Sequence, residues 1–384
     1  MTPVRIGVVG VGAIALRGIL PHLMQDDVRD RVRVHAVCDP VVARARAAAE
    51  QYDIPRAYES LDELLADDAL DAVTVASPIG LHYDHCRRAL EAGKHLHVNK
   101  TMCTTVVEAD ELIALARAND LRLVPSPGEA LRPQLRRTRE LIEEGAIGDL
   151  AWAICGGSFE LYHETEPERL DAPGGRPVDP AWYFRKPGGG PMYDMAVYAL
   201  HQLTSILGPA RAVVAVSGIR VREREFLGAR IPTEADDNTI LVLDFGHGLF
   251  AVVYGTAADT HTGLFAAGRY FGTRGTIDGI LLNGEPFEFP GCESLGGALF
   301  DRSPNLRVLP HVVGAHRDLA EPHVFEDIMQ LADWALDGIP TPVTAEHARH
   351  VVDIIESGYR SARTGMRQEL TTSFERLPLG VLQP

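Results

Sequence analysis

The chain has 384 residues, more than one hydrophobic core usually organises, so its length predicts two domains. Apolar residues make up 46% and charged residues 23% of the chain, proportions that exclude a largely disordered protein. The formal net charge of −16 argues against a nucleic-acid partner, because such proteins hold phosphates with clustered Lys and Arg, and it favours a small-molecule partner.

Neither export nor membrane insertion is predicted. No basic leader or apolar signal core precedes the first predicted strand. No apolar run approaches the ~20 residues needed to cross a bilayer, so no membrane partner is expected. The five cysteines are odd in number, widely spaced and without a CxxC pair, which predicts reduced thiols and a cytoplasmic location.

Residues 1–126 alternate short apolar runs with helix-length amphipathic segments. This alternation predicts a Rossmann domain, a doubly wound parallel sheet with helices on both faces. The predicted strands are VRIGVVG, RVRVHAVCD, PRAYES, DAVTVAS, HLHVN and LRLVPS. The helices between them are ALRGILPHLM, ARARAAAEQY, LDELLAD, LHYDHCRRALEAG and EADELIALARAN.

Residues 127–384 change in character and predict a second, α+β domain. Several β-rich runs follow one another without helices between them, which indicates a largely antiparallel open sheet. These runs are ARAVVAVSGIRV, NTILVLDF, GLFAVVYGT and TIDGILL. A helix precedes them in MYDMAVYALHQLTSILG, and two helices close the domain at about residues 322–364.

The first strand runs into GVGAIA, which places Gly10, Gly12 and Ala15 on the GxGxxA pattern. In dinucleotide-binding domains such glycines let the backbone approach a pyrophosphate at a helix N-terminus, so Ala13 and Ile14 are expected beside the cofactor. The alternative is that the glycines serve only the packing of a tight strand-to-helix turn.

The second strand ends at Asp39, where a dinucleotide-binding domain places an acid that accepts hydrogen bonds from ribose hydroxyls. The same carboxylate would repel the 2′-phosphate of NADP, so NAD is the expected cofactor and NADP the less favoured one. The alternative is an ordinary turn or helix cap at Asp39-Pro40.

Other polar residues follow later strands at the same edge, where open α/β sheets bind ligands. The DAVTVAS run leads into SPIGLH, which adds Ser77, Pro78 and His82 to the expected cofactor contacts, unless His82 merely opens the next helix. The HLHVN run ends at Asn99 and is followed by a single cation, Lys100.

These motifs, together with the later run GGGPMYDMAVYALH, resemble the Gfo/Idh/MocA oxidoreductases, the family of glucose-fructose oxidoreductase and inositol dehydrogenase. The resemblance covers essentially the whole chain and implies that Lys100 reaches toward nicotinamide and substrate, with Asn99 beside the cofactor. The family has Glu-Lys-Pro here, whereas this chain has Asn99-Lys100-Thr101. Such a proline can favour a cis peptide bond, but at Thr101 a cis bond costs ~3 kcal/mol, so a trans bond is expected.

Asp194, Tyr198 and His201 fall at i, i+4 and i+7 on one predicted helix, and therefore on one face. The resemblance assigns the orienting acid to Asp194 and the proton-handling group to Tyr198, with His201 as a second proton-handling group. Loss of a hydride from a secondary alcohol also requires loss of the hydroxyl proton, which these groups and Lys100 would accept. The alternative is that the face packs a core in which Asp194 and Tyr198 satisfy each other.

The polar loop from residue 163 to residue 190 is attached directly to that helix. Its rings and polar groups suit stacking and hydrogen bonding to a polyol, although surface loops are often polar without binding anything. The expected substrate contacts are His163, Arg176, Trp182 and Arg185.

The histidines elsewhere come with no carboxylate or cysteine at metal-ligand spacing, so no metal is expected.

Three functions remain open from the sequence. The first is an NAD-dependent oxidoreductase that takes a hydride from a ring secondary alcohol of a sugar, cyclitol or glycoside. The second is a redox-neutral glycosidase, epimerase or transhydrogenating oxidoreductase that keeps NAD tightly bound and recycles it in each turnover. The third is a non-enzymatic, NAD-binding regulatory protein. The resemblance further implies a homo-oligomer, a dimer or tetramer.

Overall fold

In a computed structural model of the chain, the described residues are 2–158, 162–171, 177–258, 268–293 and 308–379. Their α-helices are α1 (Leu20–Leu23), α2 (Val42–Tyr52), α3 (Leu61–Leu65), α4 (His82–Glu91), α5 (Val106–Ala118), α6 (Pro133–Glu143), α7 (Tyr162–Thr165), α8 (Pro167–Leu170), α9 (Val197–Leu207), α10 (Pro322–Asp337) and α11 (Ala345–Thr364). Shorter helical turns include π-helical turns at Ala15–Ile19 and Met192–Ala196 and 3₁₀ turns at Asp26–Val28, Ile79–Leu81, Glu129–Leu131, Pro180–Phe184 and Gly314–Arg317.

The strands of the described residues form two large sheets and one hairpin. They are β1 (Val4–Val9), β2 (Val32–Cys38), β3 (Arg56–Tyr58), β4 (Ala72–Val75), β5 (His95–Val98), β6 (Leu123–Pro125), β7 (Leu150–Ser158), β8 (Ala212–Gly218), β9 (Glu223–Phe226), β10 (Ala229–Pro232), β11 (Asn238–Gly246), β12 (Leu249–Thr256), β13 (Arg269–Gly272), β14 (Thr276–Asp278), β15 (Leu281–Leu282), β16 (Glu285–Pro286) and β17 (Gln368–Glu369).

The chain divides into two compact units. The first contains residues 1–127, 163–183 and 311–345, and the second contains residues 128–162, 184–310 and 346–384. The single boundary expected after residue 126 differs from this division, because two later segments fold with the N-terminal sheet. Apolar burial explains the second of these segments: Phe325 of α10 is buried and stacks on the rings of His22 and His316, at centroid distances of 4.8 and 4.2 Å.

The first unit is the predicted parallel sheet. Its strand order is β3-β2-β1-β4-β5-β6, and all five pairings are parallel. Strands β4 and β5 are almost wholly buried, as expected when helices cover both faces of a parallel sheet. Helices α3 and α5 each begin with a reciprocal capping box, Ser60 with Glu63 and Thr105 with Glu108, so their starts were encoded locally. The predicted Rossmann fold is confirmed.

The second unit contains a nine-stranded sheet with the order β16-β15-β14-β13-β7-β12-β11-β8-β17. The pairings are antiparallel except that of β12 with β7, so the prediction of a largely antiparallel sheet is confirmed. Its strands alternate buried and exposed residues, most clearly in β11, which indicates one covered and one uncovered face. Strands β9 and β10 form a separate hairpin that the hydrophobic pattern did not predict.

Within the described ranges, we find neither a helix that is long and apolar enough to cross a membrane nor a group of three His, Cys, Asp or Glu side chains placed to bind a metal ion.

Candidate functional site

The glycine turn after β1 contains two glycines with different surroundings. Gly10 has φ +90°, and a Cβ atom there would lie 2.8 Å from the carbonyl oxygen of Ala76, so this position excludes other residues. Gly10 therefore serves the packing of the turn against the end of β4. Among the described residues, a Cβ atom at Gly12 would meet nothing closer than Val178, at 3.9 Å. The packing of the chain does not require glycine at position 12, whereas close approach of a pyrophosphate does.

Helical backbone begins directly after this turn, at Ala13 and Ile14, and continues through the π-helical turn Ala15–Ile19. Ala13 is buried and Ile14 is half-buried. The first backbone N–H groups of a helix have no partner within it, and together with the helix dipole they favour an anion. This helix start is compatible with an anion, and contacts of Gly12, Ala13 and Ile14 with the dinucleotide phosphates stay a prediction.

Asp39, at the end of β2, is buried and fully used by hydrogen bonds within the first unit. Its carboxylate accepts the N–H groups of Val11 and Val41, at 3.0 and 2.8 Å, and the guanidinium of Arg44, at 3.2 and 3.3 Å. A carboxylate has about four lone-pair positions, so none is left for a ribose hydroxyl in this arrangement. Asp39 ties the glycine turn to the start of α2.

Arg44 is a residue that the sequence reasoning missed. It is buried, pairs with Asp39 and donates through Nη2 to the carbonyl of Pro177 at 3.4 Å. Its Nε atom is buried without a hydrogen-bond partner among the described residues. A buried donor without a partner costs free energy, so this atom suits a ligand oxygen. The spacing of five residues from Asp39, in the first turn of α2, was the signal that could have identified it.

His82, the first residue of α4, joins the loops after two neighbouring strands. Its Nε2 atom lies 2.7 Å from the carbonyl oxygen of Ser77, and its Nδ1 atom lies 2.7 Å from that of Thr101. The ring is buried, which lowers the pKa of His82 to about 4. His82 does open a helix, which was the alternative reading. Its two ring nitrogens also have specific partners, the backbone carbonyls of Ser77 and Thr101. Pro78, which precedes the 3₁₀ turn Ile79–Leu81, is half-buried.

Lys100 follows β5 and is partly exposed. Asn99 is buried and accepts the N–H of Lys100 through its Oδ1 atom at 2.8 Å, so it shapes the backbone at this strand end. The expectation of a trans bond after Lys100 is wrong, because the Lys100–Thr101 peptide bond is cis. That expectation considered only the intrinsic preference of a non-proline peptide bond and not its surroundings.

The chain contains only three lysines, Lys94, Lys100 and Lys186. Lys94 is buried and donates to the carbonyl oxygens of Asp67 and Leu70, at 3.2 and 2.9 Å. Lys186 is exposed and pairs with Asp236 at 3.2 Å. Of the three, Lys100 alone stands at the carboxyl edge of the parallel sheet, the edge where such sheets bind ligands.

In the second unit, Asp194 and Tyr198 are both buried, with 5% and 8% of their surface exposed. Asp194 lies in the π-helical turn Met192–Ala196, and Tyr198 lies in α9 directly after it. The predicted alignment at i, i+4 and i+7 assumed an uninterrupted α-helix, and this turn changes the rotation between Asp194 and the residues that follow. Such turns occur frequently at functional sites.

His201 lies in a buried cluster with two histidines of α11. Its ring is 4.7 Å from that of His347, whose Nε2 atom lies 2.7 Å from the hydroxyl of Thr204. Burial lowers the pKa of His201 to about 3 and that of His350 to about 4. An uncharged, 3% exposed imidazole packed against other rings is placed for a structural role.

The predicted substrate residues are distributed over both units. In the first unit, His163 is buried, accepts from Arg169 at 2.8 Å, and packs its ring at a tilt against that of Tyr183, with the centroids 3.7 Å apart. Trp182 is half-buried with its edge against Tyr183. Arg185 belongs to the second unit and is exposed. Arg176 lies outside the described residues.

Comparisons with known proteins agree with the fold. The model of the NAD-binding Rossmann fold of the GFO_IDH_MocA oxidoreductase family matches residues 4–126, and the model of the GFO/IDH/MocA C-terminal domain matches residues 135–278. The chain therefore belongs to the Gfo/Idh/MocA oxidoreductase family, whose N-terminal domain binds NAD.

Two curated relatives and one solved structure illustrate the range of similarity. A dTDP-3,4-didehydro-2,6-dideoxy-alpha-D-glucose 3-reductase of Actinomadura kijaniata is 29% identical over 62% of this chain and 63% of its own length. The scyllo-inositol 2-dehydrogenase (NADP(+)) IolW of Bacillus subtilis is 22% identical over 94% of both chains. The WlbA dehydrogenase of Bordetella pertussis, solved with NADH and UDP-GlcNAcA, has a TM-score of 0.70 at 19% identity and covers 97% of this chain and 100% of its own.

Two further curated relatives match over only 55% of their own lengths. The chain thus spans about half to two thirds of several relatives that it matches at higher identity.

Proposed function

We propose that the chain is an NAD-dependent oxidoreductase that removes a hydride from a ring secondary alcohol of a sugar, cyclitol or glycoside. The observation that carries the proposal is Lys100 at the carboxyl edge of a dinucleotide-binding sheet, beside loops held by Asn99 and His82. The names of two relatives, a dTDP-sugar 3-reductase and an inositol dehydrogenase, support cyclic polyols and their ketones as substrates.

In this proposal each residue has one role. NAD, when bound, supplies the acceptor for the hydride. Lys100 accepts the hydroxyl proton of the substrate, and the ammonium that forms stabilises negative charge that develops on the substrate oxygen. The family resemblance adds Tyr198 as a second candidate for the proton transfer and Asp194 as the acid that orients it. We assign His201 to packing, because its ring lies against His347, and we retain His163, Trp182 and Arg185 as candidate substrate contacts.

The cofactor choice is part of the proposal. Gly12, Ala13 and Ile14 would hold the pyrophosphate, and Arg44 would face the ribose through its Nε atom, beside the charge of Asp39. Arg44 neutralises Asp39, so the carboxylate opposes a 2′-phosphate less strongly than the sequence alone suggested. We propose NAD as the cofactor, with NADP bound more weakly but not excluded.

The test is a screen of sugars, inositols and glycosides with NAD and NADP, followed through the absorbance of the reduced nicotinamide. In the variant Lys100→Met we expect kcat to fall at least about 1000-fold, because both the proton acceptor and the charge at the reacting oxygen are lost. NAD should still bind, as measured by calorimetry. The matched control is Lys186→Met, which removes an exposed lysine and should keep its activity. Turnover that survives in Lys100→Met would contradict the proposal.

The second candidate, a redox-neutral enzyme that retains its NAD, is favoured by one observation. Residues 177 and 178 lie against the proposed dinucleotide-binding elements: the Pro177 carbonyl accepts from Arg44, and the Val178 side chain would lie 3.9 Å from a Cβ atom at Gly12. A segment in this position would hinder release of a bound dinucleotide. Purified protein should then yield NAD only after denaturation, whereas rapid exchange with added NAD would favour the first candidate. Robust turnover of any polyol would exclude the third possibility, a regulatory protein.

We also propose that the nine-stranded sheet forms the interface of a homo-oligomer. Its uncovered face contains several large apolar side chains that are 40 to 67% exposed, and exposed apolar side chains grouped in one patch are typical of an interaction surface. They lie on four adjacent strands, and several face each other in register, as Val214 faces Val242 and Trp152 faces Phe250. The set is Trp152, Val214, Val216, Ile240, Val242 and Phe250. Light scattering of the variant Val216→Lys should show a smaller particle than the original chain.

A further inference from the structure

His82 occupies a position that its motif does not explain. Its ring is 1% exposed, and both of its nitrogens lie 2.7 Å from backbone carbonyl oxygens, those of Ser77 and Thr101. A carbonyl oxygen only accepts, so a hydrogen bond to either carbonyl needs a hydrogen on the ring nitrogen that faces it. No ring nitrogen remains for a nucleotide. The ring therefore connects the loop after β4 to the loop after β5.

The two carbonyls belong to the loops on either side of the strand ends. Ser77 follows β4, and Thr101 is the residue directly after Lys100. The ladder between β4 and β5 ends with the bond from the Asn99 N–H to the Val75 carbonyl, at 2.9 Å. Beyond that bond, the contact between the Thr101 carbonyl and Nδ1 of His82 also holds the loop after β5 to the rest of the first unit.

We propose that His82 is the positioning residue of Lys100, and that the bond from its Nδ1–H to the Thr101 carbonyl fixes the loop that presents the lysine. This inference rests on the proposed function, because it assumes that Lys100 handles the substrate proton. Misplacement of a reacting group by about 1 Å can cost about 100-fold in rate, so the backbone on both sides of such a lysine needs to be held.

Three titratable groups of the described residues interact electrostatically with the ring: His85 on the same helix, His97 on β5, and Lys100 itself. Burial is the largest cause that lowers the pKa of His82, and the charges of His85 and Lys100 act in the same direction. At neutral pH the ring therefore carries one hydrogen, which bonds only one of the two carbonyls at a time, and the proposal places it on Nδ1. The two bonds can thus be tested separately.

Asparagine and glutamine provide that test. In His82→Asn the side-chain amide nitrogen takes the place of Nδ1 and retains the bond to Thr101, whereas in His82→Gln it takes the place of Nε2 and retains the bond to Ser77. His82→Leu retains neither. We expect His82→Gln and His82→Leu to lose about 10- to 100-fold in kcat with little change in KM, while His82→Asn stays within about threefold of the original chain.

A second readout does not need activity. Reductive methylation with ¹³C-formaldehyde labels the three lysines, and Lys100→Met assigns the Lys100 signal. The Lys100 signal should shift or broaden in His82→Gln and His82→Leu but not in His82→Asn, while the signals of Lys94 and Lys186 stay unchanged. The matched control is His95→Leu, which removes a half-buried histidine at the opposite end of β5 that accepts the Arg122 N–H at 3.1 Å.

Three outcomes overturn the proposal: unchanged kcat in His82→Leu, equal losses in His82→Asn and His82→Gln, or a Lys100 signal that moves as much in His95→Leu as in His82→Leu. Failure of the proposed function looks different, since turnover would then survive in Lys100→Met.

Discussion

The two units hold their candidate residues in different ways. In the first unit Gly10, Asp39 and His82 are each tied to backbone atoms of neighbouring strand ends, at distances of 2.7 to 3.0 Å. In the second unit Asp194 lies in a π-helical turn, and His201 is surrounded by the side chains of another helix. Backbone ties are set by short motifs, whereas side-chain surroundings depend on distant segments. Motif reasoning is therefore stronger in the first unit.

The largest loss of stability should come from a substitution at a residue that packs closely against the backbone of a neighbouring strand end. In Gly10→Ala the new Cβ would lie 2.8 Å from the Ala76 carbonyl oxygen at a φ of +90°, so we expect the free energy of unfolding to fall by at least about 2 kcal/mol. Gly12→Ala meets only Val178 and should cost less than about 1 kcal/mol, yet weaken NAD binding. Thermal unfolding measures the loss of stability in each variant, and calorimetric titration measures the affinity for NAD. Equal losses of stability would remove the distinction between the two glycines.

The histidine cluster of the second unit should make stability depend on pH. Nε2 of His350 accepts the Ala210 N–H at 3.0 Å, so this ring is neutral in the folded chain. Burial lowers its pKa to about 4, below that of an unfolded histidine. The stability that it contributes is thus complete above about pH 6.5 and is lost as the pH falls toward 4, by up to about 1.4 kcal/mol per pH unit.

His350→Gln retains an acceptor for the Ala210 N–H but does not titrate, so urea unfolding at pH 7, 6 and 5 should show a flatter dependence in the variant. The first unit provides the contrast. Burial opposes the charge of His311, but its bonds to Asp333 and Glu326 outweigh burial and raise its pKa to about 10. The stability from His311 is therefore complete below about pH 6.5 and is lost as the pH rises from there toward 10. An identical pH dependence in His350→Gln and the original chain would contradict the assignment.

A smaller effect is expected at Arg44. Removal of its guanidinium in Arg44→Leu leaves Asp39 uncompensated next to a 2′-phosphate, so the dissociation constant for NADP should rise about tenfold relative to that for NAD. Fluorescence titration with the two reduced cofactors measures this ratio. A constant ratio would show that Arg44 acts only within the protein, through Asp39 and Pro177.

The smallest effect concerns the helix that follows the Lys100 loop. Thr105→Ala removes the side chain that accepts the Glu108 N–H at 3.3 Å, which should cost about 1 kcal/mol of stability. The kcat should stay within about twofold, because the loop is held by His82 and Asn99 instead. A large loss of kcat would mean that the capping box of α5, rather than His82, fixes the loop.

The sequence predicted the parallel sheet and the glycine turn because alternating periodicity and GxGxxA describe local geometry. It did not predict that the Arg44 guanidinium binds the carboxylate of Asp39, since that contact depends on the path of the chain after β2. It also did not predict that α10 folds with the first unit, because an amphipathic helix fits any apolar surface and its partner is chosen by tertiary packing. The π-helical turn at Asp194 leaves no signal in a hydrophobic pattern that assumes 3.6 residues per turn.

That turn has a consequence for how this helix tolerates change. A π-helical turn contains one residue more than an α-helical turn, so deletion of a single residue from Met192–Ala196 could leave a continuous helix. Because the turn accommodates its extra residue locally, the deletion would change the directions of the side chains within the turn relative to Tyr198 and leave the helix that follows unchanged. An aspartate retained in such a chain would point in another direction. The length of this turn, as well as the identity of its residues, therefore determines where the carboxylate of Asp194 points.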